Sequence, residues 1–341
     1  MSVFPLSPRF SKILIIGQQH GCLPYIIAVV AALSVGDVFI PEHQLGTDGE
    51  SDNDDSRPPD TEAMIAETQR AKRRKEYFQA QRSLSGLDHT SDALKLLSIV
   101  CAFEYEAKPA EFCERNLIRL KAMQETHKLR HQITNIVRTN CPGTMDNFKA
   151  RLTPPSTVQI KALRQIIAAG FIDQVAIRAD LLPNSTFKLG QAGIKKVTDV
   201  PYMTLFASAT FQQSVDPDAP QDTAVFIHPS SVLASQSSYP EYLIYQELKK
   251  SSSLTGKIRM KPLTPVGGAH LAVLAKGTQL ITYSKPLDHI PPKILPDSMG
   301  RRREAWVIPR IGGAIGKSEL GWALPARKVV QKKEGNTWVV E

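Results

Sequence analysis

The hydrophobic pattern of the chain changes its period near Gly170, and this change constrains the fold more than any other feature of the sequence. Before Gly170, apolar residues recur every three or four positions, as in amphipathic helices. After it, apolar residues form short runs separated by Gly, Pro, Asn and Ser, which is typical of strands and turns. We therefore predict the α+β class, with an N-terminal helical bundle followed by a small closed β-barrel.

The helical half is predicted to contain several helices, the last of which ends at Gly170. The segment from Pro8 to Val35 indicates two helices, and the second is apolar on all sides, so we place it at the centre of the bundle. Further helices are predicted from Ser91, from Cys113 through Val137, and from Ser156, which can cap a helix.

A charged stretch at about 42–88 interrupts the helical half. Its first part is acidic, with Asp48, Glu50, Asp52, Asp54, Asp55 and Asp60. Its second part is basic, with Arg70, Lys72, Arg73, Arg74 and Lys75. Because no core can form from these residues, we predict a disordered insertion: an acidic loop leading into a solvated basic helix. A phosphate-binding role for the basic part is the alternative.

Short strands are predicted beyond Gly170. They cover Phe171 to Ile177, Thr186 to Leu189, Met203 to Phe206, Thr223 to His228, Tyr242 to Gln246, Leu271 to Leu274 and Gln279 to Tyr283. Closing such strands into a barrel removes exposed sheet edges. We predict a helical domain at 1–170, a barrel domain at 171–285, and an irregular basic C-terminal extension at 286–341.

Length, charge and cysteine usage limit the classes of function that the chain can have. The 341 residues exceed what one small core needs, and the formal net charge of +9 favours phosphate-bearing partners, with nucleic acid first. The four cysteines form no Cys-x-x-Cys pair, which excludes a zinc knuckle and a redox motif of that type. The apolar run from Leu23 to Leu33 is shorter than the ~20 residues that a membrane-spanning helix needs.

Gly312 to Ser318 comes nearest to a nucleotide-binding loop, which requires Gly, four residues and then Gly-Lys-Ser. Ile311 stands where the first glycine is needed, and Gly321 and Pro325 interrupt the helix that should follow. We interpret the segment as a glycine-rich turn. The eight histidines are scattered and no catalytic motif is present, so neither a catalytic residue nor a metal site is predicted.

Two separated strings resemble a known family. Residues 5–14 (PLSPRFSKIL) and 31–35 (AALSV) resemble the start of the helicase-associated ratchet domain of DEAH-box RNA helicases. Residues 225–233 (VFIHPSSVL) and 240–247 (PEYLIYQE) resemble the C-terminal OB-fold of the same family. Residues 96–100 (LLSIV), residues 119–123 (RLKAM) and the charged insertion look most like its nucleolar branch.

The resemblance implies the C-terminal part of an ATP-dependent RNA helicase that acts in pre-rRNA processing and small ribosomal subunit biogenesis, where it releases a box C/D small nucleolar RNA. A nuclear, nucleolar location follows from it. In this family ATP and Mg²⁺ bind to two RecA-like domains with a P-loop, an Asp-Glu-Ala-His box and an arginine finger. Since the chain contains none of these, we expect it to bind no cofactor and to be inactive alone as an ATPase.

The expected partner is single-stranded RNA, either pre-rRNA or a small nucleolar RNA, bound weakly and with little sequence preference. The candidate RNA-binding residues are Arg115 and Arg119 on the helical face and Arg178, Lys188, Lys195, Lys196 and His228 on or near the barrel. Each can instead be a solvated charge, and His228 can simply end a strand. A helicase activator and pre-ribosomal proteins are further expected partners. The rival interpretation is a protein-interaction module for which RNA contact is secondary.

Overall fold

The computed structural model describes residues 6–41, 44, 61–144, 148–182, 185, 187–189, 196–205, 224–250, 256–296, 300–312 and 321–341. The α-helices in these ranges are α1 Pro8–Gln19, α2 Leu23–Val35, α3 Thr61–Ser83, α4 Asp92–Tyr105, α5 Pro109–Arg115, α6 Leu120–Asn140, α7 Thr157–Gly170 and α8 Gly268–Leu274. The strands are β1 Val175–Arg178, β2 Tyr202–Thr204, β3 Ala224–Ile227, β4 Tyr242–Lys250, β5 Ile258–Val266, β6 Ile281–Tyr283, β7 Lys293–Ile294, β8 Arg302–Val307, β9 Pro309–Ile311, β10 Trp322–Ala323, β11 Arg327–Glu334 and β12 Thr337–Val340.

Helix α2 lies at the centre of the helical bundle, as its sequence predicts. It contacts α1, α4 and α6, and its residues from Tyr25 to Leu33 are all buried. Each fully buried Ile, Leu or Val contributes ~1.5–3 kcal/mol relative to an exposed one. A Cβ atom on Gly17 would lie 2.9 Å from Cγ1 of Ile26, so a glycine is needed where α1 crosses α2. The apolar character of α2 therefore organises the bundle.

The predicted helix from Cys113 through Val137 is divided in the structure, because α5 ends at Arg115 and α6 begins at Leu120. Leu117 has a φ of 56°, a left-handed conformation that interrupts a helix. The amide of Ile40 donates to the carbonyl of Leu117 at 2.9 Å, so the segment between α5 and α6 pairs with the segment that follows α2. The last helix follows its prediction: Ser156 and Gln159 form a capping box at the start of α7.

The charged insertion contains a helix where disorder was predicted. Residues Thr61–Ser83 form α3, so the prediction of disorder at 42–88 is wrong for these residues, whereas the prediction of a basic helix is confirmed. The C-terminal end of α3 is attached to the bundle: the hydroxyl of Tyr77 donates to the carbonyl of Ile40 at 2.7 Å, and Gln81 is buried. The acidic residues of the insertion from Asp48 to Asp60 lie outside the described residues.

Five strands close into the predicted barrel in the order β1-β2-β3-β5-β4. The β3–β5 pairing is parallel and the other pairings are antiparallel. The barrel core contains Val225, Ile227, Leu243, Met260 and Leu263, all buried. The α+β class and the closed barrel are therefore confirmed.

Several strand predictions differ from the structure. Strand β5 was not predicted because Pro262 and Pro265 argue against a strand. Residues Leu271 to Leu274 belong to helix α8, and the described residues 187–189 form no strand. Strand β6 pairs with β9 outside the barrel.

The C-terminal extension, which the sequence predicts to be irregular, contributes strands to two sheets. One has the order β10-β9-β6 and the other β12-β11-β8-β7. Side-chain contacts between distant residues stabilise these sheets. In the four-stranded sheet, for example, the guanidinium of Arg303 on β8 lies 4.1 Å from the ring centre of Trp338 on β12. The glycine-rich residues 313–320 lie outside the described part of the chain. None of the described helices is long and apolar enough to span a membrane.

Candidate nucleic-acid interface

Strands β4 and β5 form a hairpin that concentrates positive charge on the barrel; we call it the basic hairpin. Its five cationic residues are Lys249, Lys250, Lys257, Arg259 and Lys261. Directly paired residues lie on the same face of a sheet, and Arg259 pairs with both Lys249 and Phe226. The ammonium of Lys257 lies 4.9 Å from the ring centre of Phe226. The Phe226 ring is itself buried, so the hairpin offers single-stranded nucleic acid a row of cations for its phosphates.

Asp37, which follows α2, connects the basic hairpin to the helical bundle. Its carboxylate accepts hydrogen bonds from Lys249 at 2.7 Å and from Lys261 at 2.5 Å. Burial raises the pKa of Asp37, but the hydrogen bonds from the two lysines outweigh it and lower this pKa to about 2. The guanidinium of Arg119 donates to the Asp37 carbonyl. Two ammonium groups therefore bind one carboxylate, and the guanidinium of Arg119 adds a third positive charge beside it, which leaves a surplus of positive charge.

His228 lies beside these cations in its neutral form. Burial, together with the charges of Lys261 and Arg259, lowers the pKa of His228 to about 3. Its Nδ1 accepts a hydrogen bond from the Ser230 amide at 3.1 Å. At neutral pH His228 therefore shapes the turn after β3 and adds no charge for a phosphate.

The sequence-predicted residues are distributed over several surfaces. Arg119 and His228 lie at the basic hairpin, and exposed Lys196 is two residues from Thr198, whose carbonyl accepts from Arg259 at 2.9 Å. Arg115 instead pairs with Glu106 at 3.7 Å.

Arg178 is buried, with its guanidinium Nε 2.6 Å from Asp180 and a further hydrogen bond to the Tyr239 carbonyl, so its donors serve the fold. Lys188 is exposed, and Lys195 lies outside the described residues. RNA contact by any of these residues stays a prediction.

Sequence reasoning missed the five cations of the basic hairpin, although a signal was present. Residues 247–261 read ELKKSSSLTGKIRMK, in which basic residues flank a serine-rich segment. Lys257, Arg259 and Lys261 recur with the period of two that places side chains on one face of a strand. The two prolines of β5 concealed this pattern.

A cavity of about 110 Å³ lies where the helical bundle meets the barrel; we call it the junction pocket. Its polar lining includes Asp37, Gln81, Asp92, Lys95, Glu247 and Lys261. The carboxylate of Asp92 accepts from the amides of Val232 and Leu263, each at 2.8 Å, and fixes α4 to the barrel.

The ammonium of Lys95 donates to the Ser230 carbonyl at 2.9 Å, and burial lowers its pKa. In the described part of the chain, no group of three or more His, Cys, Asp or Glu side chains could hold a metal ion.

Comparisons with known proteins agree with this arrangement. The family model described as "Helicase associated domain (HA2), ratchet-like" matches residues 7–96, and the model described as "Oligonucleotide/oligosaccharide-binding (OB)-fold" matches residues 163–278.

A putative ATP-dependent RNA helicase of Schizosaccharomyces pombe is 39% identical over 99% of this chain and 26% of its own length. The probable ATP-dependent RNA helicase DHR1 of Saccharomyces cerevisiae is 36% identical over 100% of this chain and 27% of its own. The human probable ATP-dependent RNA helicase DHX37 is 31% identical over 96% of this chain and 24% of its own length. The chain thus spans about a quarter of the length of these relatives.

Proposed function

The chain belongs to the DEAH-box family of ATP-dependent RNA helicases, and on this premise we propose that it holds single-stranded RNA for a motor located elsewhere in the helicase. One observation carries the proposal. The basic hairpin of the barrel is joined through Asp37 to the helical bundle, which places Lys249 and Lys261 at the junction of the two parts, with Arg259 paired to Lys249 in the hairpin.

The chemistry of this surface suits an RNA backbone. Lysine and arginine side chains neutralise phosphates and release bound counterions, which gives affinity without sequence preference. The ring of Phe226 is buried and is covered by Lys257, so the hairpin binds RNA through its cations rather than by stacking a base on this ring. Asp37 limits the mobility of Lys249 and Lys261, which reduces the entropy that RNA binding would cost.

We also place this RNA binding in pre-rRNA processing and small ribosomal subunit biogenesis, including the release of a small nucleolar RNA, in the nucleolus. The support is the resemblance of residues 96–100 and 119–123 to the nucleolar branch, together with the similarity to DHR1 and DHX37. In this proposal ATP and Mg²⁺ supply the energy in the motor domains, and an activator protein and pre-ribosomal proteins are additional partners.

Salt-titrated binding tests the proposal. Fluorescence anisotropy is measured for the full chain with a labelled RNA of about 12 nucleotides, long enough for one OB-fold site. We expect weak binding, with a logarithmic slope against salt of about −0.7 per phosphate neutralised. No anisotropy change at low salt would contradict RNA binding, and binding that is insensitive to salt would favour the protein-interaction module.

A further inference from the structure

The junction pocket contains a buried amide whose oxygen has no partner. Gln81, on the last turn of α3, is 1% exposed, and its Oε1 accepts no hydrogen bond among the described residues. A buried acceptor left without a donor destabilises the folded state, so a ligand that supplies an N–H group is favoured at this wall.

Lys95 provides the complementary group in the same cavity. Its ammonium has three protons, of which one is donated to the Ser230 carbonyl, and it lies 5.2 Å from the ring centre of Phe39. Gln81 and Lys95 therefore line the same cavity, between apolar walls that include Leu33, Val38 and Leu96.

The charge of the lining argues against an anion. The three carboxylates of Asp37, Asp92 and Glu247 outnumber the two ammonium groups of Lys95 and Lys261, so the net charge of the lining is negative. The cavity of about 110 Å³ far exceeds the ~10–15 Å³ that one water molecule requires. These properties fit a flat, neutral ring with hydrogen-bond donors and acceptors on its edge.

We propose that the junction pocket receives one unstacked base of the RNA strand held at the basic hairpin. Gln81 Oε1 accepts from an amine or ring N–H of the base, and Lys95 donates to a carbonyl or ring nitrogen. Two residues connect the pocket to the RNA surface, because Glu247 and Lys261 belong to both the pocket and the hairpin. All four bases carry a donor beside an acceptor, so the pocket accepts any base. The inference rests on the proposed function and adds a base contact to it.

The test compares two RNAs of about 12 nucleotides, oligouridine and an abasic oligomer with the same backbone, against the full chain and its Gln81→Met variant. Wild type is expected to bind oligouridine at least about fivefold more tightly than Gln81→Met does. The abasic oligomer is expected to bind both proteins with affinities within about twofold, because its backbone contacts do not involve Gln81.

Controls separate this effect from misfolding and from a nucleoside site. Gln165→Met makes the same change at an exposed position of α7 and should leave both affinities unchanged. Gln81→Met should melt at or above the wild-type temperature, because it removes an unpartnered buried acceptor.

Equal loss of affinity for both oligomers, or no loss for either, would overturn the base pocket while leaving RNA binding intact. Free uridine binding that depends on Gln81, without an effect on oligouridine, would identify a nucleoside site instead and overturn it too. Failure of wild type to bind either oligomer would contradict the proposed function itself.

Discussion

The carboxylate of Asp37 and the ammonium of Lys261 lie 2.5 Å apart, although the two residues are 224 positions apart in the sequence. Lys249 binds the other oxygen of the same carboxylate at 2.7 Å. One side chain of the helical bundle therefore holds both strands of the basic hairpin. Substitutions at this contact should affect both the stability of the junction and the binding of RNA.

Charge reversal on the basic hairpin should weaken RNA binding. In Lys250→Glu/Lys257→Glu two cations are lost, so we expect affinity to fall about tenfold at about 0.1 M salt and the logarithmic salt slope to become shallower by about 1.4. Salt-titrated anisotropy measures both quantities. Lys332→Glu/Lys333→Glu, at two exposed positions of β11, is the matched control. Equal losses in the two double variants would mean that the RNA site is not at the hairpin.

The stabilising effect of Asp37 should depend on pH. Its folded pKa of about 2 is below the ordinary 3.8, so its contribution is present above about pH 4 and is lost as the pH falls towards 2. We expect Asp37→Asn to lower the free energy of unfolding by about 1 kcal/mol near neutral pH, a value reduced for solvent screening. Urea unfolding at successive pH values should show this difference shrinking between pH 4 and 2. A difference that stays constant over this range would contradict the pairing.

The effect of His228 on the free energy of unfolding should appear at higher pH than the effect of Asp37. Its folded pKa of about 3 lies below the ordinary 6.5, so the unfolded chain binds more protons between these values and stability falls as the pH drops below 6.5. Relative to His228→Asn, wild type should lose up to about 1.4 kcal/mol per pH unit. Urea unfolding between pH 7 and 5 measures the effect, and parallel profiles of the two proteins would show that His228 titrates normally.

The buried carboxylate of Asp92 should be needed for the contact between bundle and barrel. Asp92→Ala removes two hydrogen bonds and the carboxylate whose charge favours the protonated form of buried Lys95, so we expect a loss of about 3 kcal/mol in the free energy of unfolding. Chemical denaturation measures it. Glu111→Ala, which breaks an exposed pair with Lys108, should cost less than about 1 kcal/mol. Similar costs for both variants would contradict the role of Asp92.

Much of the fold could be predicted because the decisive signals are local. The apolar period of α2, the cap at Ser156 and the end of α7 at Gly170 depend on residues within a few positions of one another. The strings at 225–233 and 240–247 similarly indicate the barrel through short, local runs of residues.

The site was predicted less well because it depends on distant pairs. Arg119 and His228 were identified, but their meeting with Lys249 and Lys261 requires the bundle and the barrel to pack together. Arg178 has the same charge as these residues, yet the barrel directs it to Asp180. A charged side chain in a sequence does not reveal whether a partner carboxylate will lie beside it.

The sequence by itself determined the hydrophobic period of the helical and strand-rich halves, the helix caps and the family, since each is set by neighbouring residues or by short strings. Only the tertiary structure decided that proline-containing β5 is a strand, that the basic extension forms sheets, and that Asp37 joins the two parts. The physical reason is that strand pairing and ion pairing gain their free energy from groups far apart in the chain, which come together only when the whole chain folds.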